Sequence, residues 1–73
     1  MMWIIVISLF WIDPSDSTDK HFKISHLDGK PLTFESQKEC FEHIDENTPD
    51  LKKYVESFYQ NKATVGEYLC VID

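Results

Sequence analysis

Trp3-Ile4-Ile5-Val6-Ile7-Ser8-Leu9-Phe10-Trp11-Ile12 is the stretch whose reading decides the fold. It is rich in β-branched and aromatic side chains, which suit a pleated strand. Its alternating sets are Trp3, Ile5, Ile7, Leu9, Trp11 and Ile4, Val6, Ser8, Phe10, Ile12. Both sets are apolar, so the stretch predicts a strand buried on both faces and central in its sheet. With Met1 and Met2 before it, the same run invites a second reading, as a signal peptide or anchor. A signal peptide needs a basic start and a small-residue cleavage site. Here the first lysine is Lys20, and Trp11-Ile12-Asp13-Pro14 offers no such site. A spanning helix takes about 20 apolar residues, and this run is shorter.

Working outward, Asp13-Pro14-Ser15-Asp16-Ser17-Thr18-Asp19 has the chemistry of a loop. Lys20 to Leu27 follows as a second strand. Phe22 and Ile24 lie on one face and Lys23 and Ser25 on the other, the alternation of a half-exposed strand. Asp28-Gly29 signals a turn, Pro31 limits regular pairing, and Leu32 and Phe34 are placed under the core.

Ser36-Gln37-Lys38-Glu39 reads as a capping box that starts a helix at Gln37. Thr48-Pro49 reads as a second helix start, a cap followed by proline at the first position. Yet Phe41, Ile44, Thr48, Leu51, Val55 and Phe58 keep one phase of threes and fours across that junction. One helix from Gln37 to about Gln60, kinked or broken near Asn47–Pro49, satisfies both signals. Thr64 to Ile72 is the last strand, with Tyr68, Cys70 and Ile72 on one face and Leu69 and Val71 on the other. The expected fold is therefore one α+β domain over residues 1–73. It has β-β-α-β order, a three-stranded antiparallel sheet with the first strand in the middle (order 2-1-3), and the helix on one face.

Seventy-three residues allow one modest core, and chains this short gain from a disulfide, a metal or a partner. The formal charge is −6, from 13 acids against 7 bases, and every base is lysine. A negative field without arginine argues against nucleic acid and anionic membrane surfaces and favours a partner with a basic surface. Cys40 and Cys70 could form one disulfide under the helix, or remain reduced core residues in a cytoplasmic setting.

Catalytic chemistry finds little support in the sequence. Cys40, His43 and Cys70 are conceivable zinc ligands or a thiol with its base, but no Cys-x-x-Cys pair and no local positive charge accompanies them. Two glycines cannot make a phosphate loop. No metal or cofactor is expected, and the chain reads as a non-enzyme. The segment Glu35 to Asp50 holds six acids against Lys38. Within it Glu39, Glu42 and Glu46 are neighbours along one helix flank and are the candidate contacts for a basic partner. One helix covers one sheet face, so the second face is expected to be an apolar contact surface for a partner or a second copy. That face would expose several of Trp3, Ile5, Ile7, Leu9 and Trp11, or else the other set, and Trp3 or Trp11 is the candidate anchor on it.

The pattern Met2-Trp3-Ile4-Ile5-Val6-Ile7, then Phe34-x-Ser36-x-x-x-Cys40, then Tyr68-x-Cys70-Val71 resembles a loose group of small proteins encoded by phages and bacteria. That resemblance implies a mobile-element origin. It also implies action on host machinery, such as a defence nuclease complex or RNA polymerase, in the host cytoplasm. The expectation is a small acidic inhibitor or modulator of a host protein. The alternative is a small structural or membrane-associated protein held by its apolar N-terminus.

Overall fold

The computed structural model describes residues 2–27 and 29–73. The apolar stretch forms strand β1 (Trp3–Trp11). It is paired antiparallel on one side with β2 (His21–Ile24) and on the other with β5 (Ala63–Ile72). The sheet order is β2-β1-β5, so the doubly apolar strand is central, as its sequence requires. The expected single strand Lys20–Leu27 is divided at Ser25. Its end, β3 (His26–Leu27), pairs instead with β4 (Lys30–Pro31) as a separate hairpin. Gly29 supplies the positive φ of +79° that this hairpin needs; its neighbour Asp28, the other half of the expected turn, lies outside the described residues.

Helix α1 (Gln37–Phe58) crosses from the end of the hairpin segment to β5. Ser36 caps it by accepting the Glu39 amide at 3.2 Å, and the Glu39 carboxylate reaches back to the amide of Glu35 at 3.3 Å. The return bond of the capping box thus goes one residue further than expected. The helix is continuous through Pro49, with one residue off helical geometry, Asn47 at φ −124°, ψ 17°. Proline at 49 removes an amide and crowds the preceding turn. Just before it, two side chains bond carbonyls of the preceding turn: Asn47 donates to His43 O at 2.9 Å and Thr48 to Ile44 O at 2.6 Å.

The inner face of the helix is Cys40, Ile44, Leu51 and Val55, packed on Ile5, Ile7, Ile24 and Cys70. Phe41 and Phe58, expected in the stripe, stand outside it at 39% and 60% exposure. The buried line runs along Cys40 and Ile44 because Cys40 is tied to the sheet by a disulfide to Cys70, Cα atoms 6.1 Å apart. The two cysteines thus meet under the helix as anticipated, joined rather than reduced.

Register between β1 and β5 shifts by one residue between Ile7 and Leu9. Gly66 and Glu67 stand where Ser8 alone stands opposite, a β-bulge. Ser8 Oγ accepts the Glu67 amide at 2.6 Å. A Cβ at Gly66 would lie 2.7 Å from Ser8 Oγ and 3.0 Å from the Phe10 ring, so this position has no room for one.

Candidate functional site

The odd-numbered set of β1 faces the helix. Ile5 and Ile7 are core residues, and Trp3 and Leu9 pack against them. This corrects the expected position of the tryptophans: neither Trp3 nor Trp11 lies on the open face. Trp3 is pinned between β5 and the chain at Phe34, exchanging backbone hydrogen bonds with Phe34 at 2.7 and 2.9 Å. Trp11 packs edge-on against Tyr59 on the helix side, centroids 5.2 Å apart. A strand apolar on both faces gives no sign of which set meets the helix, which is why alternation alone misassigned them.

The open face therefore belongs to Ile4, Val6, Ser8, Phe10 and Ile12 of the β1 run, beside Leu69 and Val71 of β5. It is not uniformly bare. Lys23 on β2 and Asp73 beyond β5 form an ion pair at 2.8 Å across the central strand. Ile4, on this same face of the central strand, has no exposed surface. Toward the other end no such ion pair occurs among the described residues, and Phe10 and Ile12 are 66% and 75% exposed.

That same end of the molecule gathers aromatic rings on the helix side. Phe22 contacts Tyr54, Phe58 and Tyr59 with centroids 5.9, 4.9 and 5.7 Å away, and Phe58 and Tyr59 lie 4.9 Å apart. Asp19 ties the group to the loop after β1: Tyr59 Oη donates to its carboxylate at 2.9 Å and Trp11 Nε1 to its carbonyl at 2.6 Å. Burial and the Asp19 carboxylate push the Tyr59 hydroxyl up to about 12, so the ring keeps its proton and its bond. An open groove of about 390 Å³ lies here, lined by Trp11, Asp16, Thr18, Phe58, Tyr59 and Lys62 among others.

The chain at the groove's edge is fixed by a helix stop. Asn61 donates to Glu56 O at 2.7 Å and Gln60 to Ser57 O at 3.1 Å, the paired bonds of a Schellman ending. Gln60 and Asn61 adopt φ of 56° and 63°, left-handed conformations that glycine would take without cost. At the opposite wall, the amide and hydroxyl of Ser15 hold the Asp13 carboxyl below its usual range, so it stays ionised.

Glu39, Glu42 and Glu46 are all exposed, as a solvent-facing flank requires. Glu39 serves the helix cap, and Glu42 lies 3.9 Å from Lys38. They sit on the first half of the helix, at the end of the sheet where Cys70 pairs with Ile5. The groove and Phe10 lie at the far end, where Tyr59 meets Trp11. At about 1.5 Å per residue, Glu42 and Phe58 are on the order of 24 Å apart along the axis. The acidic flank and the apolar end thus form two separate surfaces.

Cys40 and Cys70 are bonded to each other and in this form offer no free thiol, and His43 packs against Phe34 with centroids 5.2 Å apart. Among the described residues no cluster of three metal-ligating side chains occurs, and no helix is long and apolar enough to cross a membrane. The aromatic groove was missed in sequence because its parts come from three distant segments, β1, the loop to Asp19 and the helix end. Exposed Phe10 and Ile12 were legible as members of one β1 set. Comparisons with protein-family models, curated proteins and solved structures give no match for this chain.

Proposed function

We propose that this chain is a non-enzymatic protein-binding module that docks a partner with a basic surface at the groove end of the molecule. The observation that carries the reading is the concentration of bare apolar surface there. Phe10 and Ile12 on the open face, and Phe58 on the helix side where Trp11 and Tyr59 line the groove, are each at least 60% exposed at this one end of the molecule. Large exposed apolar side chains gathered on one region of a small domain mark an interface, and aromatic anchors dominate binding energy. Phe10 and Ile12 then take the place of Trp3 or Trp11 as the open-face anchor expected from sequence, and Trp11 lines the groove instead.

The acidic flank contributes differently. Glu39, Glu42 and Glu46 are too far from the groove to touch the same small epitope. Their charge still adds to a field of net −6 that draws a basic partner in and speeds encounter. The resemblance to phage- and bacteria-encoded proteins makes a host protein the partner class to test first, with inhibition or modulation as the outcome. Action in the host cytoplasm would require the fold to work with Cys40 and Cys70 reduced, because cytosolic thiols are kept so. Both redox forms therefore belong in the test. The tagged chain is used to capture host proteins, and each identified candidate is titrated with the pure chain and with a Phe10→Ser/Ile12→Ser variant. Specific binding that the variant loses supports the reading; binding that the variant keeps unchanged refutes it.

A further inference from the structure

We infer that the free edge of β5 is a self-association surface, on which a second copy of the chain adds its own β5 antiparallel about a two-fold axis. The inference does not depend on the partner surface above, which lies at the groove end.

The backbone defines the occupant. Asp73 donates to Met2 O at 2.9 Å, so alternation along an antiparallel ladder turns the Val71 and Leu69 groups toward β1. Tyr68, Cys70 and Ile72 then turn theirs outward. Trp3 agrees independently: it spends its own N–H and C=O on Phe34, on the side away from Ile72. Among the described residues no strand pairs with this outer edge. What satisfies such a row is another extended backbone.

Edges are usually guarded by lysine, proline or a bulge. The bulge at Gly66 and Glu67 blunts the first half of β5. The second half, Tyr68-Leu69-Cys70-Val71-Ile72, carries no charge and no proline. Its flanks are apolar above and below the sheet: Val71 is 38% and Ile72 49% exposed. Phe41 extends the patch. His43 touches Phe34 on the β2 side, and about 100° per residue places Phe41 roughly 160° around the helix from it, on the side of the free edge. This accounts for the 39% exposure of a phenylalanine next to the disulfide.

An uncharged edge offers a foreign strand little to select, whereas a second copy sets apolar against apolar. Charge also narrows the register. A two-fold at Cys70 would place Glu67 opposite the partner's Asp73, which like charges disfavour. A two-fold at Leu69 sets leucine against leucine in a close pair, lets Tyr68 and Cys70 exchange hydrogen bonds with Cys70 and Tyr68 of the second copy, and ends at the bulge, where Val71 comes opposite Glu67. The result is a continuous six-stranded sheet.

The test is sedimentation equilibrium of the oxidised full chain over a range of concentration and salt, alongside amide exchange. A dimer is expected that tightens as salt screens the repulsion between two −6 chains. This is the opposite of the salt response of binding to a basic partner, so failure of one reading is separable from failure of the other. Leu69→Lys, which faces like charges across the two-fold, and Phe41→Lys should give monomers. In the wild type, protection of the Tyr68 and Cys70 amides should rise about tenfold with dimer population, while Leu69 and Val71 stay protected throughout. A wild-type monomer at all concentrations, a dimer that Leu69→Lys leaves intact, or outward amides indifferent to concentration would each overturn the inference.

Discussion

Cys40, in the first turn of the helix, is bonded to Cys70, in the outer strand of the sheet, with Cα atoms 6.1 Å apart and 30 residues of chain between them. The bond fastens the helix to β5 where Ile44 and Ile5 continue the core. Its effect is large for a chain of this size, because it restricts the unfolded state across a long loop.

Replacing both cysteines with serine, or reducing the bond, should lower unfolding free energy by about 3–4 kcal/mol, the value for closing a loop of this length. Urea unfolding followed by circular dichroism, with and without reductant, checks it. A reduced protein as stable as the oxidised one would show that packing of the helix alone holds the fold.

How much of this was legible in the sequence follows from which features are local. The two apolar sets of β1 were enough to put that strand in the middle, and the helix's return fixed the antiparallel order. Cys40 and Cys70 were both readable as inner-face residues. The phase of β1 was not, because Trp3 and Ile4 begin equally apolar sets and only the register against β5 chooses between them. Nor was the helix stripe fully readable: Phe41 and Phe58 fit its spacing, yet the core line passes through Cys40 and Val55. The groove depended on Asp19 reaching Trp11 and Tyr59 together, a tertiary event with no sequence period.

The bulge opposite Ser8 leaves little space for a side chain at Gly66. Gly66→Ala would drive a methyl against the Phe10 ring, which is exposed and can turn away, and against Ser8 Oγ, which could yield only by giving up its bond to the Glu67 amide. We expect a loss of about 1–3 kcal/mol, typical of overpacking. The urea midpoint of this variant should fall clearly below wild type. An unchanged midpoint would mean that β1 and β5 separate there without cost.

Tyr59 gives a pH-dependent signature. Its folded value, about 12, lies above the ordinary 10.0, with burial the larger cause and Asp19 the next. The sign follows: a raised value favours the protonated fold, so this contribution is complete below pH 10.0 and is lost as pH rises through about 12. Tyr68 is also raised, by burial and then by Glu56, so alkaline absorbance will show more than one late tyrosine. Asp19→Asn should bring only the Tyr59 step earlier. A titration curve identical to wild type would disconnect Asp19 from the ring.

The reading of the groove end as a docking surface is tested most directly by the affinity of an identified partner for three proteins. These are wild type, Phe10→Ser/Ile12→Ser, and Glu39→Gln/Glu42→Gln/Glu46→Gln. Calorimetry gives the affinities and stopped-flow mixing at low and moderate salt gives the association rates. The first variant should weaken binding by at least about 2 kcal/mol, as loss of anchors does. The second should mainly slow association and flatten its salt dependence, with little change in dissociation. Undiminished affinity in the Phe10/Ile12 variant, with the fold intact by circular dichroism, would contradict the assignment of that end as the binding surface.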